Sequence, residues 1–422
     1  MSEYALWHGS MPMHRLWNRV TPERLLVEGY GIRVKDAAGH WFIDGRAGIA
    51  NLIFGYRYRP LVNAISEQLE TLVFAPTIRY TRPAKITIDF AERLASCAPQ
   101  GLNHVRLYNV GSLATEAATS IARMYQVSQG RPQRTRILSL PNSYHGSTLA
   151  TFALSGQTDL HGTLPVEFPA NPPMPSPIEM EPDKAIQALR HLLDELDDTV
   201  AGVIVEPILG NGMFPLPKEY LQDLRSLCDQ RDLVLTFDEV VTGFGRTGEL
   251  FAAQYYGVIP DLMTLAKGIT GGYIPMAALL TSDRIFNQLN DPQWFFPNGY
   301  STDGHAVASR AGMVVLQELT ENGMLQRGRD IGEYMNQQLR SRLLDLSIVT
   351  RVQGIGTLAG ISLGDATIAV RARDAIERRG VLVHCFYSEL ALTPPYVMTT
   401  EDCDEMVDAI VGGIQDAAEG ER

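Results

Sequence analysis

The stretch Leu233-Val-Leu-Thr-Phe-Asp-Glu-Val-Val-Thr-Gly-Phe-Gly-Arg-Thr-Gly248, followed by Asp261-Leu-Met-Thr-Leu-Ala-Lys-Gly-Ile-Thr-Gly-Gly-Tyr273, decides how this chain is read. Residues 233–237 are apolar but for one threonine and end on Asp238; residues 262–266 have the same character and end on Lys267. Short apolar runs bounded in this way read as buried strands, and each brings its last side chain to the strand tip. A carboxylate and an amine are thus placed at two strand ends, 267 − 238 = 29 residues apart.

Outward from these segments, short apolar runs alternate with amphipathic stretches. Residues 105–109 read as a strand leading through Gly111-Ser112 into a helix over 114–127, and 136–140 as a strand ending in Pro141-Asn-Ser-Tyr-His-Gly146. A helix within 178–196 has Ile186, Leu189, Leu192 and Leu193 on one face; 200–205 are a strand ending in Glu206-Pro207; 220–229 are helical and lead to 233–237. This repetition predicts an α/β fold with a mostly parallel central sheet flanked by helices, and such sheets bind ligands beyond the carboxyl ends of their strands. The proline-rich segment 168–182 cannot be helical and reads as a surface loop, because the α/β alternation resumes after it. Beyond 305 the pattern changes. An amphipathic helix carries Met324, Ile331, Met335, Leu339 and Leu343, and it is followed by a strand pattern over 354–363, a helix near 368–379, short strands and a C-terminal helix near 401–418. The expected organisation is an N-terminal segment over 1–55 packing with the small domain, a large domain over 56–305 and a small α+β domain over 306–422.

Composition excludes more than it identifies. The 422 residues carry 36 Lys and Arg against 48 Asp and Glu, a net charge of −12 that argues against nucleic acid as a partner. The four cysteines (Cys97, Cys228, Cys385, Cys403) have no paired spacing, so neither a disulfide framework nor a metal site is expected. The N-terminus does not read as a signal peptide and no apolar run is long enough to span a membrane, which makes a cytoplasmic enzyme the expectation.

The strand ends carry the chemistry. A lysine at a buried strand end can be neutralised and attack an aldehyde, although an ordinary strand-end lysine looks the same in sequence. Asp238 could cap a helix or close an ion pair; it could equally keep a pyridinium nitrogen protonated. Gly111-Ser112 is either a plain turn or a phosphate cradle at the positive end of a helix. Tyr144 and His145 close another strand with flat rings that could pack in a core or stack on a pyridine face. An amine, an acid, a phosphate cradle and a stacking ring, all at strand carboxyl ends, point together to pyridoxal 5′-phosphate and amino-group chemistry.

At these residues the chain resembles the class III aminotransferases, the ornithine and 4-aminobutyrate group of fold-type-I pyridoxal-phosphate enzymes. The resemblance is densest over Phe237–Gly248 and Leu265–Pro275 and runs from about 31 to 395. It implies that Lys267 forms the Schiff base and shuttles the proton, and that Asp238 pairs with the ring nitrogen. Val240 and Tyr144 would cover the two ring faces, with His145 beside Tyr144. Gly111 and Ser112 would hold the phosphate, and Glu206 would lie near the ring hydroxyl and the substrate. The resemblance also implies a homodimer with active sites at the interface. Its partner-supplied phosphate hydroxyl would be Ser301, with Thr302 as a second candidate.

Departures from the family pattern concern the substrate. Many relatives carry an arginine three residues before the Pro-Pro pair, which grips a substrate α-carboxylate bidentately, and a glutamate that neutralises this arginine when no carboxylate is bound. Here those positions are Ala391 and Asn211, so both halves of the switch are missing together. Arg79 or an arginine of the partner could substitute, and Trp17 with Trp7 and Tyr56 could line an apolar pocket or simply pack. The expected activity is transfer of an amino group from an amino acid or amine to an aldehyde or ketone, in specialised biosynthetic metabolism. An epimerase, aminomutase or decarboxylase of the same family is the alternative.

Overall fold

The computed structural model describes residues 5–9, 21–79, 82–156 and 171–419. Its centre is a six-stranded sheet in the order β4-β11-β10-β9-β6-β5. The strands are β4 (His104–Tyr108), β5 (Arg136–Ser139), β6 (Val200–Val205), β9 (Val234–Asp238), β10 (Leu262–Leu265) and β11 (Ala277–Thr281). β5, β6, β9 and β10 pair in parallel, while β11 runs antiparallel to both β10 and β4. Every residue of β6, β9, β10 and β11 is buried. Strands covered by helices on both faces have no wet side, which is why their sequences are continuous apolar runs rather than alternating ones.

Connecting helices lie on either side of this sheet. Gly111–Ser128 follows β4 and buries a stripe of small residues, Ala114, Ala117, Ala118 and Ala122. Lys218–Arg231 precedes β9 and turns into it through Asp232, which caps the helix in the left-handed conformation at φ 51°. The 182–195 helix starts at Pro182, which belongs to the helix as its first residue rather than to the preceding loop, a position that needs no backbone N–H.

A second, antiparallel sheet in the order β12-β13-β16-β15 is built from β12 (Arg351–Ile355), β13 (Leu358–Ser362), β15 (His384–Phe386) and β16 (Glu389–Leu392). The single strand pattern expected over 354–363 is instead a hairpin. Gly356, at φ 56°, turns the chain, and its own backbone packs against the carbonyl of Arg246. This sheet shares a core with the helices Met324–Leu343, Ala366–Arg378 and Thr400–Glu419, with Met335, Leu339, Ile376, Val407 and Ile410 at its centre.

The N-terminal strands β1 (Leu26–Tyr30), β2 (Arg33–Asp36) and β3 (Trp41–Asp44) form a third sheet, completed by β14 (Val381–Leu382) pairing in parallel with β3. Arg33 bridges from β2 to Asp402 at 3.0 Å and Glu405 at 2.6 Å on the C-terminal helix. The small hairpin β7 (Ile208–Leu209) and β8 (Phe214–Pro215) leaves the large sheet after β6 and reaches the second sheet. There Gln353 Nε2 donates to the Gly212 carbonyl at 2.7 Å, and the Arg351 guanidinium stands 4.5 Å over the Phe214 ring. Gly360 of β13 lies so close to this hairpin that a Cβ would sit 1.9 Å from the Gly212 oxygen, so no other residue fits. Among the described residues no helix is long and apolar enough to cross a membrane.

Candidate active site

The carboxyl ends of β4, β5, β6, β9 and β10 open into one cavity of about 730 Å³, and the second sheet forms its far wall. β9 delivers Asp238 to the cavity floor, 3% exposed. Its Oδ2 accepts a hydrogen bond from His145 Nδ1 at 2.8 Å, and its Oδ1 accepts from Thr264 Oγ1 at 3.1 Å and from the Val240 amide at 3.2 Å. His145 is itself buried, and its Nε2 has no partner among the described residues. The ring therefore serves the cavity through Asp238, orienting the carboxylate, as the outer residue of a carboxylate–histidine pair does.

Lys267 follows β10 and opens a short 3₁₀ turn, Lys267–Thr270. Its φ of 44° is a left-handed conformation that a lysine adopts at some cost, and residues held so tend to be fixed by function rather than by local preference. Burial lowers its ammonium pKa from the ordinary value, Glu206 and Asp238 oppose that shift, and Arg246 adds to it. The amine is thereby biased toward the neutral, nucleophilic form.

Glu206, one residue beyond β6, is bound by two backbone donors: Tyr144 N to Oε1 at 2.9 Å and Gly210 N to Oε2 at 3.1 Å. Burial pushes its carboxyl up to about 7; His145 opposes this and Asp238 adds to it.

At the third corner the Gly111–Ser128 helix begins at the cavity wall. No side chain caps its first turn, and Gly111 and Ser112 both line the cavity. The free N–H groups and the helix dipole make that corner suited to an anion. Ser112 Oγ accepts from the Ser147 amide at 3.1 Å. Gly146 has φ 132°, and a Cβ there would lie 2.6 Å from Ser112 Oγ, so glycine lets this loop close over the helix start. Val240 and Tyr144 also face the cavity, Tyr144 being 42% exposed.

The substrate candidates divide. Asn211 lines the cavity, with Nδ2 donating to the Asn142 carbonyl at 3.2 Å. Ala391 does not: it is fully buried in a cluster with Ile208, Met213 and Leu358, and the cavity wall at that point is Met213. Arg79 is exposed at φ 56° and lines no part of this cavity. Ser301 and Thr302 are exposed; Thr302 Oγ1 takes a hydrogen bond at 2.9 Å from Asn109 Nδ2, and Asn109 does line the cavity. Trp17 lies outside the described residues. Among the described residues no group of three or more histidines, cysteines and acids could hold a metal.

Sequence reasoning passed over two residues. His384 lines the cavity from β15, and nothing in its local sequence marks it. Arg246 was quoted in the opening stretch without a role. It is buried, its Nη1 donates to the carbonyls of Thr393 at 2.8 Å and Pro394 at 2.6 Å, and its Nη2 donates to that of Ala50 at 3.2 Å. Its guanidinium stands 5.3 Å over the Tyr396 ring. A run ending in Gly-Arg gave no hint that three distant backbones would meet at one side chain.

The class III aminotransferase family matches this chain over residues 17–414. The chain belongs to the class III aminotransferases. It is 30% identical to the putrescine–pyruvate aminotransferase of Pseudomonas aeruginosa, over 91% of this chain and 89% of that protein. It is 32% identical to the acetylornithine aminotransferase of Caldanaerobacter subterraneus, over 90% and 92%. Its fold is that of solved transaminases. A transaminase from a marine Virgibacillus superposes with a TM-score of 0.94 at 26% identity, covering 99% of this chain and 98% of that one. An amine transaminase from an uncultivated Pseudomonas, solved with pyridoxal phosphate bound, superposes at 0.92 with 29% identity over 99% of both chains. The aminotransferase is therefore a fold-type-I, pyridoxal-phosphate-dependent enzyme that moves an amino group from an amine or amino acid to a carbonyl acceptor. The cavity suits that cofactor: an uncapped helix start, a buried carboxylate and a desolvated lysine meet in one space.

Proposed function

We propose that Lys267 is the residue that bonds covalently to the cofactor and carries the proton, and that Asp238 holds the ring nitrogen protonated. When bound, pyridoxal phosphate supplies an aldehyde carbon that accepts the amino group and a ring that takes up the electron pair of the broken Cα–H bond. Lys267 Nζ, biased toward neutrality by burial, would take that proton and return it to the cofactor's aldehyde carbon. Asp238, held by His145 and Thr264, keeps its carboxylate aimed into the cavity. The first-turn amides at Gly111 and Ser112 bind the phosphate, and Tyr144 and Val240 bracket the ring. Glu206 sits beside the ring hydroxyl and the substrate, and Ser301 or Thr302 reaches a phosphate across a dimer interface.

The observation that carries the substrate reading is the charge inventory of the cavity. Among the described residues lining it, Lys267, Asp238 and Glu206 are the only acids and bases other than histidine, and no arginine is present. A dicarboxylate such as glutamate has no fixed cation of this chain at its far end. An amine donor and an acceptor other than 2-oxoglutarate are favoured, in line with the putrescine–pyruvate enzyme and the omega-aminotransferase of Caulobacter vibrioides among its relatives. We read the enzyme as a cytoplasmic homodimer of specialised biosynthesis. Apolar Ile49 (61% exposed), Val110 (49%) and Tyr144 (42%) rim the cavity, a surface that a second copy would cover. We read the chain as an N-terminal segment, a large domain and a small domain divided near 55 and 305.

The test is a donor screen of glutamate, alanine, methionine and simple amines on the holoenzyme, with amino transfer measured as conversion of the bound cofactor to its pyridoxamine form. Transfer from amines or alanine well above glutamate is expected. Exchange of the α-hydrogen with solvent without transfer to any acceptor would instead support the epimerase, aminomutase or decarboxylase alternative.

A further inference from the structure

The loop after β9 carries a buried cation, Arg246, with no carboxylate acting on its charge among the described residues. Arg246 is 1% exposed, and a guanidinium stays charged at every ordinary pH. Burial disfavours that charge and Tyr396, whose ring lies 5.3 Å from it, favours it. Buried charges are ordinarily paired, and one without a counter-ion is costly. A residue of this kind is kept for what it holds and for what its field does.

What Arg246 holds is cavity wall. Of the carbonyls it binds, those of Ala50 and Thr393 belong to residues that line the cavity. Nη1 also donates to Thr357 Oγ1 at 3.3 Å, at the turn of the β12–β13 hairpin. Thr393 directly follows β16 of the second sheet and Ala50 follows the N-terminal strands, so one side chain ties two other parts of the chain to the large domain. Ala50 needs such a tie. It ends a run of four residues with left-handed φ: Ala47 at 45°, Gly48 at 56°, Ile49 at 63° and Ala50 at 63°. L-residues disfavour that conformation singly and do not hold it in sequence unaided. Neighbouring groups fix the middle of the run: Asp44 Oδ2 accepts from the Gly48 amide at 2.9 Å, and Asn51 Nδ2 donates to the Ile49 carbonyl at 3.1 Å. The carbonyl at its end is held by Arg246. Ile49, Ala50 and Asn51 all line the cavity, so the shape of this wall follows from the turn.

Arg246 also faces the chemistry. The ionisable groups that act on Lys267 are Glu206 and Asp238, which favour its protonation, and Arg246, which opposes it. His384 faces Lys267 as well, and burial, its first cause, pushes that imidazolium down to about 4, so the ring adds no charge at neutral pH.

Resting on the reading of Lys267 as the reacting amine, we propose that Arg246 is a positioning residue for amino transfer: its guanidinium fork holds the Ala50 and Thr393 walls around the donor, and its unpaired positive charge faces the Lys267 amine. The two parts of this role separate chemically. Lysine at 246 supplies the charge without the planar fork, and methionine supplies neither.

The experiment follows the half reaction of the holoenzyme with the best donor of the screen above, as conversion of the bound cofactor to its pyridoxamine form. Arg246→Lys and Arg246→Met should both raise the half-saturating donor concentration at least about tenfold, with the maximal rate at alkaline pH changed less than about threefold. Two pH midpoints are then read: the acid limb of the maximal rate and, without donor, the change in absorbance of the bound cofactor. Both should rise by about half a unit or more in the Met variant, where a cation is lost, and stay within about 0.2 unit of wild type in the Lys variant. Loosened packing by itself lowers the melting temperature and does not separate the two variants by pH. Half-saturation within about twofold of wild type in both variants, or pH midpoints that fail to separate them, overturns the role of Arg246. Should neither variant fold, Thr357→Val decides, since it removes one side-chain acceptor of Nη1. Half-saturation raised at least about twofold at an unchanged melting temperature supports the clamp, and unchanged half-saturation overturns it. A wild type inert toward every donor fails as an aminotransferase, and the proposal falls with it; a wild type that converts its cofactor while the variants match it fails Arg246 alone.

Discussion

The two ends of the cavity are built on opposite principles. At the large-sheet end, three ionisable side chains converge, and each is fixed by the backbone that delivers it or by designated donors: Asp238 by His145, Thr264 and Val240, Glu206 by two amides, Lys267 by its own left-handed backbone. At the small-sheet end the wall is Met213, Phe386 and a neutral His384, with Ala391 behind it. A site that performs proton and covalent chemistry needs groups whose charge is tuned by burial and neighbours. A site that sorts substrates can work by withholding charge. On the proposed reading, the large-sheet end performs the chemistry and the small-sheet end bounds the substrate.

Four experiments would break or sharpen this contrast. The largest effect is expected from Lys267→Ala, which should lower amino transfer by on the order of 10⁴-fold in single-turnover assays while leaving the melting temperature near that of wild type. A variant with unaltered turnover would remove the large-sheet end from the chemistry. Next is Ala391→Arg. Because Ala391 is fully buried among Ile208, Met213 and Leu358, the new guanidinium meets an apolar wall, and stability should fall by roughly 3–5 kcal/mol in denaturant unfolding. Gain of glutamate activity without that loss would show that the wall yields. Asp238→Asn keeps the shape but removes the charge proposed to face the cofactor ring; kcat should drop roughly 10²–10³-fold with little change in KM. A fall in KM-dependent terms alone would assign Asp238 to binding rather than catalysis.

The smallest effect separates the two ends by pH. Glu206 is pushed up to about 7 from 4.5, so the folded state binds its proton more tightly than the unfolded chain does. Stability from this group is full below pH 4.5 and is lost as pH rises toward 7. His384 is pushed down to about 4 from 6.5, so its contribution is full above 6.5 and is lost as pH falls toward 4. Melting temperatures of wild type, Glu206→Gln and His384→Gln, scanned from acid to neutral pH, should therefore differ in opposite directions. The Glu206 variant should gain on wild type toward neutrality and the His384 variant toward acid, each by a few degrees. Parallel curves would mean that burial does not set these ionisations.

Much of the large-sheet end was legible in the sequence. The runs ending on Asp238, Glu206 and Lys267 are local patterns, and a buried strand announces itself by continuous apolar character whatever lies around it. β11 was not read, because Ala277–Thr281 follows a glycine-rich turn and nothing local distinguishes an antiparallel strand inserted between parallel ones. The hairpin β12–β13 was read as one strand, since Gly356-Thr357 sits inside an unbroken apolar pattern. The role of Arg246 was invisible because its partners, Ala50, Thr393 and Pro394, are far away in the chain.

The sequence by itself determined that a carboxylate and an amine stand at neighbouring strand tips with a glycine-rich helix start nearby, and that the arginine and glutamate expected at the substrate positions are absent. These facts rest on residue identity and short-range periodicity, which need no knowledge of the fold. Tertiary structure alone decided that His145 serves Asp238, that Met213 screens Ala391 and that His384 enters the cavity. The place of Met213 depends on the hairpin at 208–215 docking on the second sheet, fixed by Gln353, Arg351 and the lack of a side chain at Gly360. Such contacts join residues more than a hundred positions apart, and no local pattern encodes which of them will meet.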